Sequence, residues 1–530
     1  MTQQYTRHFI LLVASIIIVT IVAIAGKPTS ASPATTDAPL QVAAPESATQ
    51  SCRYGTSVVG PHAGFVQDMG IGWILSFNSS PSQQVQGAEQ LPTVRIKQQW
   101  ASGSRLQNYV MTSPPSLAEL ATLVKNYPGR IWQVGNEVDR VYWQDDIEPQ
   151  VYAKAYHDIY NVIKANDPTA LVTPSALVEV TPGRLQYLDI VWNTYLTTYK
   201  KPMPVDLWNM HVYILPEAEY DKDGKLVDSR AAIALGTDPS LAKVFSGGDA
   251  SLCGRSDIYC YAEHDDINVF KEQVYAMRHW MKARGHQNKP LIMTEFGTLY
   301  PYMEPTDVAT PGCTDCFSLV DEFGSTFTPE RVSAFMNKTI DFLDETTDPS
   351  LGYPEDNYRL VQQWNWYAVN EGKVSSSNNL VQDNGSSLTL MGQTYKNRSQ
   401  ASGYAVNLRL SEAPGAIAWS SGGTASANIS AVIRNNGNSP TQVPVNVTFY
   451  RDAARTLPIA SASIPAGISG CATRPYTVSI TWNGLTPGVH RYWVTVDSTG
   501  VVAESNETDN TASGVVIVDP LQVMLPSIRR

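Results

Sequence analysis

Between Cys52 and Ser399, short apolar segments alternate with amphipathic ones. Eight of the apolar segments have the length and the β-branched and aromatic content of strands: Arg53–Val59, Gly72–Asn78, Thr93–Gln99, Arg130–Glu137, Ala170–Leu177, Asp206–Ile214, Pro290–Gly297 and Arg359–Val369. Helical stretches lie between them. Ser116–Asn126 opens on a serine with Glu119 three residues on, the pattern in which two side chains satisfy the orphan amides of a helix start. Val151–Ala165 and Arg184–Tyr199 are longer, and Ile267–Arg284 and Pro329–Glu345 carry apolar residues at three-to-four spacing. Eight strands separated by helices over about 350 residues is the count of a (β/α)8 TIM barrel with loop insertions. A doubly wound open sheet is the alternative. It would want a glycine-rich phosphate loop after an early strand, and the sequence has none.

Two insertions follow the sixth and seventh strand segments. Leu215–Asp266 contains a hairpin tip, Asp221-Lys222-Asp223-Gly224, and Thr298–Phe327 is the other long loop. In such a barrel both emerge on the face where substrates bind. Past Tyr404 helical patterns vanish. Alternating segments (Ser426–Arg434, Val443–Arg451, Tyr476–Trp482, His490–Asp497) are separated by turn signals, which reads as an all-β immunoglobulin-like sandwich. The expected organisation is a targeting segment over 1–26, a Pro/Ala/Ser/Thr-rich linker over 27–51, a barrel over 52–400, a sandwich over 405–518 and a tail over 519–530.

Phe9–Gly26 has no charged residue and is followed by Lys27. It suits export, either as a signal cleaved near Ala23-Ile24-Ala25 or as a retained membrane anchor, with the rest of the chain secreted or held at the extracellular surface. Export permits disulfides. Of six cysteines, Cys253 with Cys260 and Cys313 with Cys316 form two close pairs, which suggests local bridges or one cross-link, with zinc ligation the alternative. Cys471 has no neighbour in sequence. If it is oxidised it must reach another segment, for which Cys52 is spare. The net charge of −11 excludes a nucleic-acid binder on electrostatic grounds. Charged residues are only 16%, and 12 Trp and 26 Tyr favour uncharged polar partners such as carbohydrate, because these rings offer a flat apolar face with a polar edge.

Two strand ends carry the chemistry. Arg130–Glu137 closes on Gly135-Asn136-Glu137, and Pro290–Gly297 closes on Glu295. By strand count these are the fourth and seventh, on opposite sides of a barrel mouth, so two carboxyl groups face each other. Glycoside hydrolysis needs that arrangement, one group to protonate the leaving oxygen and one on the other face of the sugar. No histidine pair has metal-ligand spacing, Asp265-Asp266 reads as loop charge, and no cofactor is expected.

On these residues the chain resembles the clan A glycoside hydrolases over Arg53 to Ser399. The resemblance implies a retaining glycosidase with Glu137 as acid/base, after Asn136, and Glu295 as nucleophile. Trp208-Asn209-Met210-His211-Val212-Tyr213 is similar to the clan's His-x-Tyr, and Trp364-Asn365-Trp366 stands where the clan places a tryptophan under the sugar. Val138 departs from the proline of many members. Physical chemistry adds expectations. Glu137 should have a raised pKa to serve as an acid, and Glu295 should be held ionised by hydrogen bonds, with Tyr213 a donor. Asn136 should bond the sugar 2-hydroxyl and His211 should orient a carboxylate, and the resemblance implies that Arg95 sits near the nucleophile. Tyr142, Trp143 and Tyr300 follow the catalytic strands as further sugar platforms.

Two segments of the sandwich, Ile433-Arg434-Asn435-Asn436-Gly437 and Val502–Asn510, resemble the bacterial adhesion-type domain, which implies an accessory role or association with a cell surface or polysaccharide; a passive spacer is the alternative. The competing functions are a non-catalytic glycan-binding protein on a glycosidase-like barrel and an adhesin whose sandwich is the working part.

Overall fold

In a computed structural model the chain is described over residues 49–520, apart from 81–84, 142–143, 216, 221–225, 229–232, 243–257, 261, 303–317 and 322–324. The targeting segment, the tip Asp221–Gly224, Tyr142, Trp143, Cys253, Cys313 and Cys316 therefore lie outside the described residues, as does the side chain of Cys260. Among the described residues no helix is long and apolar enough to cross a membrane.

Eight parallel strands form a nearly closed barrel sheet: β1 (Ser51–Thr56), β2 (Ile71–Ser76), β3 (Glu89–Ala101), β4 (Ile131–Val134), β5 (Leu171–Pro174), β6 (Trp208–Val212), β7 (Leu291–Phe296) and β8 (Gln363–Trp366). Their order is β5-β4-β3-β2-β1-β8-β7-β6. The gap between β5 and β6 is bridged at Asp206, whose amide donates to the Val172 carbonyl (3.2 Å) and whose carboxylate accepts from the Val172 amide (2.8 Å). The strands read as almost unbroken apolar runs because both faces are covered, the outer one by helices.

Among the described residues seven helices pack outside: α1 (Ala63–Asp68), α2 (Leu117–Asn126), α3 (Pro149–Asn166), α4 (Pro182–Tyr199), α5 (Ile267–Ala283), α6 (Pro329–Glu345) and α7 (Leu390–Ala401). The Ser116 hydroxyl accepts from the Glu119 amide at 3.2 Å, so the capping pattern is used. Asp266 caps α5 and Asp265 pairs with Arg331 at 2.8 Å, which accounts for that acidic pair structurally. Among the described residues no helix follows β2, where an eight-helix barrel would have one. Instead β3 runs on into an antiparallel partner, Ser104–Ser113.

The lumen alternates strictly on β4, with Ile131 and Gln133 inward and Trp132 and Val134 outward against the helices. Trp73, Leu75, Leu91, Ile131, Leu171, Leu207 and Ile292 fill its lower part. On β7 the alternation breaks. Met293 pairs with Met210, yet Glu295, not Thr294, pairs with His211. The extra residue is a β-bulge, a device that re-aims side chains. It turns the consecutive Thr294 and Glu295 toward His211 on β6 and Tyr213 just past it, while Met293 and Phe296 stay in the outer core.

Residues 408–518 form a three-stranded and a five-stranded sheet packed around a second apolar core that includes Ile429, Ile433, Val447, Phe449 and Val494. This lobe is fastened to the end of the barrel where strands begin. Cys52 at the start of β1 is disulfide-bonded to Cys471, Glu89 at the start of β3 pairs with Arg474 at 2.9 Å, and the buried Arg53–Asp356 pair also reaches the Asn436 carbonyl. The sandwich thus lies opposite the end that carries Glu137 and Glu295.

Candidate active site

Glu137 is presented on a tight corner. Gly135 has φ +85°, and a Cβ there would meet Val138 Cγ1 at 2.6 Å. Glu137 itself has φ 44°, a left-handed conformation that is unfavourable for a residue with a side chain and is found where a fold over-determines it. Its amide donates to the Ala176 carbonyl (3.1 Å) and its carbonyl accepts from the Arg140 amide (3.1 Å). Asp145, fully buried, holds the same corner from outside, accepting from the Asn136 amide (2.9 Å) and the Arg95 guanidinium (2.6 Å).

Across the mouth the Tyr213 hydroxyl donates to Glu295 Oε2 at 2.9 Å, and among the described residues Glu295 Oε1 has no hydrogen-bond partner. His211 stands between the carboxylates, with Nδ1 3.2 Å from Glu137 Oε1 and Nε2 3.6 Å from Glu295 Oε1. The other oxygen of Glu137 accepts from Arg140 at 3.2 Å. Both carboxyl groups are buried, at 3% and 5% exposed. One ligand atom from each of Glu137, His211 and Glu295 lies within 4.8 Å of the others, a spacing that a divalent ion could span, although both ring nitrogens already have hydrogen-bond partners.

A polar chain beneath the site sets the histidine tautomer. The Gln133 amide donates to the Asn136 side-chain oxygen (3.2 Å), Asn209 donates to Gln133 Oε1 (2.9 Å), and the Thr294 hydroxyl donates to Asn209 Oδ1 (2.8 Å). Thr294 Oγ1 is therefore left to accept from His211 Nε2 at 2.9 Å. With Nε2 committed as a donor, Nδ1 and Glu137 Oε1 share one proton, carried either by the imidazole or by the carboxyl.

The charges depart from expectation. Burial alone would raise Glu137, but the hydrogen bond from His211 and the charge of Arg140 outweigh it and hold the carboxyl down at about 2. Burial would lower His211, but Glu295 and Glu137 outweigh it and raise it. Burial, reinforced by Glu137 and Glu371, pushes Glu295 up to about 7 against the charge of His211 and the Tyr213 hydrogen bond. The raised acid and lowered nucleophile inferred from the sequence are thus reversed, because the proton of the acid side resides on His211 and because one Glu295 oxygen is buried without a donor. Such a coupled set titrates as a unit.

Other sequence expectations fall differently. Arg95 is bonded on the Asn136 side; besides Asp145 it binds Gln144 Oε1 (3.1 Å), which in turn accepts from Asn136 (3.4 Å). Both amide atoms of Asn136 therefore already have protein partners. Trp364 and Trp366 are not brought to the mouth. Strand alternation turns both outward, where they are fully buried against the helices, Trp364 beside Tyr54 and Trp366 beside Phe296. The aromatic residue at the mouth after β8 is Tyr367, 6.4 Å from Tyr213 and 6.1 Å from Phe77 between ring centres. Tyr300 is partly buried beside His264 at 5.7 Å and joins the same cluster. Arg140, Tyr367, Glu371 and the chain through Thr294 were not singled out in the sequence. Arg140, three residues after Glu137, carried the one local signal, an opposite charge at turn spacing.

No curated protein matches the chain. The CARDB family model matches residues 416–514. Among solved structures the chain is similar to a GH128 endo-β-1,3-glucanase from Amycolatopsis mediterranei in complex with laminaritriose, at 12% identity and TM-score 0.37, over 66% of this chain and 99% of that one. It is similar to a glucosidase from Croceicoccus marinus at 12% identity and TM-score 0.39, over 85% of this chain and 95% of that one. Its C-terminal lobe is similar to the CARDB domain of a Pyrococcus furiosus protein at 18% identity and TM-score 0.17, over 21% of this chain and 91% of that one.

Proposed function

We propose that the protein is an exported retaining glycoside hydrolase that cleaves β-glycosidic bonds of a poly- or oligosaccharide, on a (β/α)8-type barrel of the clan A kind. The observation that carries this is the approach of the carboxylates, a Glu137 oxygen and a Glu295 oxygen lying within 4.8 Å of each other. Double displacement uses carboxyl groups about 5–5.5 Å apart, whereas an inverting enzyme leaves room for water at about 6.5–9.5 Å.

Glu295 Oε1, which accepts no hydrogen bond among the described residues, attacks the anomeric carbon while Tyr213 holds Oε2. The bond from that carbon to the leaving oxygen breaks, and the leaving oxygen takes the proton shared by Glu137 and His211. Water then attacks the same carbon, releases Glu295 and returns a proton to the pair. Arg140 stays on the second Glu137 oxygen, so the leaving oxygen meets the Oε1 side, where the proton is shared with His211. Tyr367 supplies the apolar face under the sugar that the sequence assigned to Trp364 and Trp366. The sandwich, lying at the opposite end, serves surface or polysaccharide association and does not cover the mouth.

Incubation with β-glucans, mannan, xylan and galactan, followed by product sizing, tests the activity. NMR of early product is expected to show the retained anomer, and the inverted anomer would reject double displacement. Glu295→Ala should abolish turnover and azide should restore part of it. Full activity in that variant would remove the assignment.

A further inference from the structure

A third carboxylate lies at the mouth. Glu371 is on the loop leaving β8, and its carboxylate accepts from the Tyr367 hydroxyl. The loop is held by asparagines. The Glu371 amide donates to Asn379 Oδ1 (2.9 Å), Asn379 donates to the Gly372 carbonyl (2.8 Å), the Gly372 amide donates to Asn370 Oδ1 (2.8 Å), and Asn370 donates to the Val381 carbonyl (2.8 Å). Glu371 is therefore rigidly aimed, yet it is only partly buried. Among the described residues no cation pairs with it. Its charge also opposes ionisation of Glu295, so neither local charge balance nor the nucleophile explains an acid here.

Tyr367 stands edge-on to Tyr213, which holds Glu295, so Glu371 belongs to the nucleophile's wall and not to the Glu137–Arg140 wall where the leaving group departs. From this we infer that Glu371, aimed by Tyr367, is a specificity residue for the sugar that Glu295 attacks, its carboxylate accepting two adjacent hydroxyls of that sugar. This rests on the assignment of Glu295 as nucleophile. The substrate class follows from charge. The sugar at this position is uncharged and unsubstituted at those hydroxyls, since a uronate would face Glu371 and Glu295 together.

The test is titration of β-linked disaccharides of glucose, mannose, xylose and galactose, and of a glucuronate-containing disaccharide, by saturation-transfer NMR. The Glu295→Gln background is used to remove turnover. Adding Glu371→Gln should weaken the neutral disaccharide that binds by about 10- to 100-fold, the range for hydrogen bonds to a charged acceptor. It should narrow discrimination against the glucuronate and leave the melting temperature in place. Tyr367→Phe, which keeps the carboxylate but frees it, should weaken binding less and serves if Glu371→Gln does not fold. No disaccharide binding in the first background, or affinities unchanged by both substitutions, would overturn the inference. Hydrolysis by the unaltered chain is read separately. Binding that depends on Glu371 without any hydrolysis would reject the glycosidase and leave the sugar site.

Discussion

Replacing Tyr213 with Phe removes one hydroxyl from a site where both partners are buried. Glu295 Oε2 accepts from Tyr213 at 2.9 Å, and among the described residues Oε1 accepts no hydrogen bond, so the substitution removes the one that the carboxylate has. A hydrogen bond to a charged group contributes about 1.5–3 kcal/mol. At 1.36 kcal/mol per pKa unit this is about 1–2 units. Glu295 starts at about 7 in the folded chain, so Tyr213→Phe should carry it to roughly 8–9. The acid limb of kcat/KM reports this ionisation in the free protein. It should move up by that amount, with activity at pH 6 falling roughly 10- to 100-fold and the deficit narrowing above pH 9. Stability supplies an independent check. A carboxyl raised above its ordinary 4.5 stabilises the fold below that pH, and the contribution is lost as pH rises through the folded value. The variant should therefore match the native chain's pH dependence up to about 7, then keep losing stability between about 7 and 9. The measurements are kcat/KM from pH 4 to 10 on the best polysaccharide substrate and thermal melts over the same range. An acid limb that stays within about 0.3 unit, or an equal fractional loss at every pH, would refute the reasoning, the latter pointing to lost packing instead.

Arg140→Gln removes the cation 3.2 Å from Glu137 Oε2. An opposite charge this close depresses a carboxyl by about 1–3 units, so the alkaline limb of kcat/KM should move upward by about 1 unit or more; an unmoved limb would show that Arg140 does not bias the pair. Gly135→Ala should destabilise the fold by roughly 1–3 kcal/mol in denaturant melts, because it forces both a left-handed alanine and a 2.6 Å contact with Val138. Reduction of Cys52–Cys471, which closes a loop with a sequence separation of 419, should lower the melting temperature by an amount equivalent to about 2–4 kcal/mol; a coincident melt in reductant would show that the two lobes hold without it.

Much of the site was legible along the chain because it is local. The Asn136-Glu137 pair follows a strand by one residue, and Glu295 closes another, so counting strands was enough to bring them to opposite sides of one mouth. His211 and Tyr213 were legible for the same reason, since residues two apart in an extended segment, here the end of β6 and the residue just past it, share a face. Period two also argues that Trp364 and Trp366 point the same way. It does not say which way, and the register of β8 between β1 and β7 turned them outward, leaving Tyr367 just past the strand end as the ring beside Tyr213.

The sequence by itself determined the number of barrel strands, the helix start capped by Ser116, the change to all-β texture after Tyr404, and the two carboxylates at strand ends. Each of these is a matter of near-neighbour pattern. Tertiary structure decided what depends on residues far apart in the chain. The bulge on β7 aims Glu295, because only pairing with β6 shows that one residue too many lies between Met293 and Glu295. The Thr294–Asn209–Gln133 chain draws on three strands to fix the tautomer of His211, and that in turn reverses the protonation expected from burial alone. Protonation is set by the sum of burial and charge around a site, and a linear pattern does not contain that sum.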